Sequence, residues 1–252
     1  MTETPKLPDG YALIARDAVT STNDEAKAFA AKGAPEGTLV WARTQSAGRG
    51  RHGRPWQSPA GNLYMSLVLR PDCPPSKAAQ IGFVAALAVA SAIGPRLPRD
   101  TALRLKWPND VLVDGRKISG ILVESGTTRP DAVDWLVLGI GLNVSHAPAT
   151  AAYPATALAE HCRPVALETM LEDLVEAIDR EVRAWRSEGF GPVRARWLAQ
   201  AFRKGEDVVV RYDDGERAGR FVDLDRDGGL VLETGAGQRA VLSYGAVFPP
   251  AG

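Results

Sequence analysis

The chain has 252 residues, 45% of them hydrophobic, and its 30 lysines and arginines balance 30 aspartates and glutamates. That is apolar material enough for one large domain, or one large and one small, while a formal charge of zero excludes wholesale electrostatic binding to nucleic acid or an anionic membrane. Two cysteines, Cys73 and Cys162, in no ligand spacing support neither a zinc site nor a disulfide framework. The opening MTETPKLPDG has no cationic-then-apolar signal pattern. The longest apolar run, Ile81 to Ile93, is shorter than the roughly twenty helical residues that cross a bilayer. A cytoplasmic protein is expected.

In chain order the pattern is mixed α and β. DEAKAFAAK (24–32) reads as a helix ended by Gly33, and TSTNDE (20–25) before it as a capping box in which Thr22 reaches Glu25. TLVWART (38–44) and NLYMSLVLR (62–70) read as strands. The connection between them is far longer than the usual four to six or so residues, a length typical of functional lids. Ser76 to Ile93 reads as a buried helix, followed by strands at 102–107 and 134–144 and a hairpin over 110–125 turning at Asp114-Gly115. Leu167, Leu171, Leu174, Ile178, Val182 and Trp185 recur at spacings of three and four, so 167–185 is an amphipathic helix, and a further helix covers about 191–202. From Lys204 onward short alternating strands separated by Asp-Gly and Gly-Gly turns predict a small β-barrel. The expected division is 1–203 and 204–252.

The long connection contains AGRGRHGRPW (47–56). From Arg43 to Pro71 there are five arginines and no carboxylate, in a chain that is neutral overall. Glycine lets such a loop bend, and each guanidinium offers two parallel hydrogen bonds to phosphate or carboxylate. Without a counter-charge it should be mobile. Three readings are open at this point: a solvated surface turn, an RNA-binding segment, or a lid over an oligophosphate with Trp56 stacking on a base. The missing Gly-Lys-Ser/Thr ending excludes a Walker-type loop. Further on, Lys106 leaves a strand between apolar Leu105 and Trp107 and points a single charge into restricted space, unless it only snorkels to water. GIGLNV (139–144) is otherwise a glycine-bulged strand.

Taken together and in this order, STN (21–23), TQSAGRGRHGRPW (44–56), GNLYMSLVLRP (61–71), KWPND (106–110), RKISGILVE (116–124) and GIGLNV (139–144) closely resemble the biotin protein ligases. Lipoyl ligases share that fold without this pairing of GRGR with KWPND. The resemblance implies a class II aminoacyl-tRNA-synthetase-like α/β core with a mixed sheet, plus a C-terminal SH3-like barrel. It implies a two-step ligase: biotin and Mg·ATP give biotinyl-5′-AMP and pyrophosphate, and a lysine of the biotin carboxyl carrier protein then displaces AMP. Lys106 would bridge the biotin carboxylate and the α-phosphate. Arg49 and Arg51 would close over the ligand, and Arg54 would reach the triphosphate. Trp56 would cover the adenine with Asn143 as its polar partner, and Lys117 would lend electrostatic help. Ser21, Thr22, Asn23 and Gln45 would serve the ureido ring. Gly48, Gly50, Gly120, Gly139 and Gly141 would complete the biotin site, four of them (Gly48, Gly120, Gly139 and Gly141) by letting backbone approach the ligand. Mg²⁺ would ride on phosphate oxygens and water, with no protein metal site. Asn109 and Asp110 either shape the turn that aims Lys106 or serve the site directly.

About twenty residues precede Ser21, too few for a winged helix-turn-helix, so no DNA-binding regulator is expected. His52 reads as a spacer. The carrier is expected at an exposed sheet edge, by strand addition, and the same edge could serve a homodimer. A lipoate or other acyl-acid ligase is the alternative within enzymes, and an RNA-binding module the alternative outside them.

Overall fold

The computed structural model describes residues 4–127, 131–149, 153–212 and 215–250. Residues 213–214, at one of the expected Asp-Gly turns, lie outside that set. A seven-stranded sheet is built from β1 (Ala12–Val19), β2 (Thr38–Gln45), β3 (Leu63–Leu69), β4 (Leu103–Lys106), β5 (Asp110–Val113), β6 (Arg116–Gly126) and β7 (Trp135–Leu142). Its order is β1-β2-β3-β7-β6-β5-β4, with β1 parallel to β2 and every other neighbour antiparallel. The hairpin turn falls at Asp114-Gly115, both with positive φ, as a tight two-residue hairpin requires.

Side-chain alternation divides the sheet into two faces. Leu39, Trp41, Leu67, Leu69, Leu136 and Leu138 join the main core, while the intervening Val40, Val68 and Val137 pack with Ala26 and Ala30 of α1 (Thr22–Ala31). The main-core face is covered by α2 (Pro75–Ala79), α3 (Ile81–Ile93), α4 (Leu167–Glu188) and α5 (Phe190–Ala199). α3 is apolar all round because it is wrapped all round: every residue but Ser91 is buried. Pro75–Arg96 has the length and hydropathy of a bilayer span, yet 78% of that window is buried inside the protein. The single helix expected over 76–93 is divided at Gln80, whose side chain accepts from Trp185 Nε1 and donates to the Arg226 carbonyl.

The C-terminal unit contains β8 (Asp207–Arg211), β9 (Glu216–Leu224), β10 (Leu230–Glu233), β11 (Arg239–Leu242) and β12 (Ala246–Phe248), antiparallel in the order β11-β10-β9-β8-β12. β11 and β12 do not pair, so the expected barrel is not closed; strands of four and three residues leave little backbone for a closing ladder. The unit is fastened to the larger sheet. Leu105 of β4 accepts from Phe202 N and donates its own N–H to the Gln200 carbonyl, and Trp107 Nε1 donates to the Gly228 carbonyl at 3.0 Å.

Candidate active site

α1 covers only part of its face of the sheet, and the uncovered part is the floor of a cleft of about 500 Å³, within the usual range for small-ligand sites. Strand register lays out that floor. Tyr64 stands opposite Gly141, Gly141 opposite Gly120, Gly120 opposite Asp110, and Asp110 opposite Lys106. Directly opposed residues share a face, so one row crosses five strands and ends at a lysine. The two glycines in its middle make a trough.

Trp56 fills that trough. A Cβ on Gly120 would come within 2.9 Å of the indole, and one on Gly141 within 2.5 Å. Gly139 instead makes room for Asn23 Oδ1, and Gly48 for the Ser58 hydroxyl inside the loop stem. These four glycines admit the protein's own side chains, and Gly120, Gly139 and Gly141 also line the cleft. Gly48 does not line the cleft; Gly50 does.

The polar end is built from the start of α1. Ser21 is its N-cap, accepting from Asp24 N, so the cap is one residue earlier than expected, and Glu25 pairs with Arg16 instead. This places Thr22 and Asn23 in the first turn, facing the sheet. Gln45 Oε1 accepts from the Thr22 backbone and hydroxyl, and the Ser66 hydroxyl lies 2.8 Å from Thr22 Oγ1 and 2.5 Å from Asn23 Oδ1. Asn23 Nδ2 donates to Glu124. A buried network so fully bonded holds its members in one geometry.

The arginine loop is fastened too. Gly50 N donates to Arg54 O at 2.7 Å and Trp56 N to Gly48 O at 2.8 Å. Arg49 makes a two-pronged contact with Asp24 (2.5 and 2.6 Å) and reaches Glu124. The Arg49 guanidinium holds the Asp24 carboxyl down at about 2. Like-charge repulsion within the loop is thus answered by carboxylates from α1 and β6, which the loop's own sequence does not contain. Arg51 donates to the Gly245 carbonyl of the C-terminal unit at 3.4 Å, and burial lowers its pKa. Arg54 stays exposed at the cleft wall.

Lys106 is 3% exposed. Its Nζ lies 3.7 Å from the Tyr153 ring centre and 4.7 Å from that of Phe248, and among the described residues no oxygen accepts a hydrogen bond from it. Burial pushes its pKa down to about 8, with Asp110 opposing the shift and Lys117 and Arg54 adding to it. Asp110 pairs with Lys117 at 2.5 Å, off the line of a proper hydrogen bond, since Asp110 Oδ1 is buried without one. The Trp56 Nε1 donor is likewise buried and unpartnered. Asn143 is buried, with one amide N–H donating to the Thr156 carbonyl, and it lines the cleft.

The cleft thus brings together Ser21, Thr22, Asn23, Gln45, the loop from Arg49 to Trp56, Lys106, Lys117 and Asn143. Six cations line it (Arg49, Arg51, Arg54, Lys106, Lys117 and Arg211) against one carboxylate, Asp110. Sequence reasoning missed Tyr153, Arg211 and Phe248, which stand in no motif. It read Asp24 only as part of a cap, and Glu124 had no assigned role although it closes the RKISGILVE stretch.

Residues 14–143 match the biotin/lipoate A/B protein ligase family, and residues 205–248 the biotin protein ligase C terminal domain. A biotin–[acetyl-CoA-carboxylase] ligase of Paracoccus denitrificans is 40% identical, over 88% of this chain and 94% of its own length. The bifunctional ligase/repressor BirA of Bacillus subtilis is 35% identical over 93% of this chain and 73% of its own. Among solved structures, the Aquifex aeolicus biotin protein ligase in complex with biotin and ATP superposes with a TM-score of 0.79 at 28% identity, covering 94% of this chain and 97% of the other. By its sequence over both units, and by its fold, the chain belongs to the biotin protein ligase family.

Proposed function

We propose that this chain catalyses ATP-dependent biotinylation of a lysine on the biotin carboxyl carrier protein of biotin-dependent carboxylases, through biotinyl-5′-AMP. The observation that carries this reading is the charge of the cleft: among the described residues its lining holds six cations and one carboxylate inside a neutral protein, with Arg49 engaged by Asp24 and Glu124 and Lys117 by Asp110. Joining a carboxylate to an α-phosphate brings two anions together, and fixed cations relieve the repulsion and stabilise the charge that develops. Lys106 bridges the two reacting groups. Arg49 and Arg51 hold the loop over them, Arg54 takes the triphosphate, and Lys117 supports the same charge. Trp56, with its unpartnered Nε1, covers the nucleotide side of the trough, and Thr22, Asn23 and Gln45 present the polar end to the ureido ring. The loop keeps water from an anhydride that would otherwise hydrolyse.

Mg²⁺ enters with ATP. Among the described residues no three His, Cys, Asp or Glu side chains converge, and Asp110 is the one carboxylate lining the cleft, which supports an ion held mainly by phosphate and water. Residues 1–203 act as the catalytic unit and 204–252 as its C-terminal partner. The carrier docks along the outer edge of β1, which among the described residues pairs with β2 alone, and a homodimer would compete for that edge. The enzyme works in the cytoplasm. Incubating the full chain with biotin, Mg·ATP and a carrier domain should raise the carrier's mass by one biotin at a single lysine. A carrier of unchanged mass, or modification by lipoate in preference to biotin, overturns the reading.

A further inference from the structure

The rings that hold Lys106 come from two different parts of the chain. Tyr153 belongs to the segment after β7, and Phe248 ends β12, the last strand of the C-terminal unit. Phe248 stands opposite Val209 of β8, with Val247 beside it buried, and the Arg211 guanidinium lies 4.7 Å from its ring centre. The residues either side of Lys106 fix the distance. Leu105 is bonded to the stretch leading into the C-terminal unit and Trp107 to its β9–β10 turn. The ring and the lysine are therefore parts of one rigid junction.

A carboxylate partner would hold an ammonium and cancel its charge. An aromatic face also holds it, through the ring quadrupole, and leaves the charge intact. We propose that Phe248 is a positioning residue for carboxylate activation: with Tyr153 it holds the Lys106 ammonium at the end of the cleft floor without neutralising it, so the arriving anions meet a full, pre-aimed charge. This rests on the function proposed above. The other groups around Lys106 are Asp110, which favours its charged form, and Lys117 and Arg54, which oppose it.

The test is biotin-dependent pyrophosphate exchange by the full chain carrying Phe248→Leu or Phe248→Trp. Leucine keeps apolar bulk and loses the π face, and tryptophan keeps the face. Phe248→Leu is expected to lower kcat about tenfold with the KM for biotin changed less than about twofold. Its alkaline limb should also move to lower pH, because Nζ stays buried and loses a face that favours its charged form, and Phe248→Trp should recover most of the rate. Phe248→Leu with unchanged kcat and pH profile overturns the proposal, as does Phe248→Trp falling equally far. If Phe248→Leu does not fold, Tyr153→Leu carries the same comparison at the other ring. If the unaltered chain gives no exchange, it is the functional reading that fails. The clamp is then read from the Lys106 ε-CH₂ resonances in selectively labelled protein, which are ring-shifted only if the two faces hold the side chain.

Discussion

Lys106 gives two opposite pH responses in one window. Its pKa falls from the ordinary 10.5 to about 8 because burial disfavours the charged form. Between those values the unfolded chain binds the proton and the folded chain releases it, so this group adds stability as pH rises from about 8. The charge needed for activation is lost over the same interval. Pyrophosphate exchange is therefore expected to decline through about pH 8 while the contribution of Lys106 to thermal stability improves; melting curves and rates taken on the same buffers check this. Lys106→Ala should reduce adenylate formation by roughly a hundredfold or more, as loss of a transition-state donor does. Lys106→Arg should not restore it, since a guanidinium spreads its charge over a longer planar fork and does not place a compact ammonium between the two reacting anions.

At the scale of elements, the approach of α1 to β7 is set by the absence of one side chain. A Cβ on Gly139 would stand 2.0 Å from Asn23 Oδ1. Gly139→Ala should force the first turn of α1 outward and break the Asn23–Ser66–Thr22–Gln45 network. The expected result is a fold retained by circular dichroism, with biotin binding by calorimetry weakened at least tenfold. Much of this was legible in the sequence. Alternation in TLVWART and NLYMSLVLR, the Asp114-Gly115 turn and the three-four spacing of 167–185 gave β2, β3, the β5–β6 hairpin and α4 to within a few residues, because each signal is local, whereas β1 was not anticipated. The motifs also gathered the lining of the cleft from α1, the arginine loop and the larger sheet, but none of its lining from the segment around Tyr153 or from the C-terminal unit. What they did not carry was partnership. GIGLNV announces glycines but not that Trp56 and Asn23 occupy their space, and the arginine loop does not reveal that Asp24 and Glu124 lie beneath it. Those facts depend on strand order and register across 25 residues of chain for Arg49 with Asp24 and 75 for Arg49 with Glu124, which no spacing records. Phe248 stands outside every motif for the same reason.

For the whole molecule, the two units share one core. Trp107 donates into the β9–β10 turn, Gly228 sits against Phe83 of α3, and Arg194 of α5 pairs with Asp223 of β9. Ending the chain after Arg203 would uncover Trp107 and Phe83 and remove Phe248 and Gly245 from the cleft. Such a truncation is expected to lose adenylate formation entirely and to show its apolar surface by dye binding or self-association in size-exclusion chromatography. A truncated chain that stayed monomeric and made biotinyl-5′-AMP would mean that the second sheet is an appendage.

The parallel bridge between Leu105 and Ala201 has a consequence for engineering. Because the connecting stretch is stitched to the very strand that bears Lys106, it behaves as a mount and not as a tether. Lengthening it with flexible spacer, or swapping in a relative's tail at that joint, would slacken the reactive lysine before it freed the tail. Chimaeras of this family should therefore be cut on the far side of β8, never at residues 200–202.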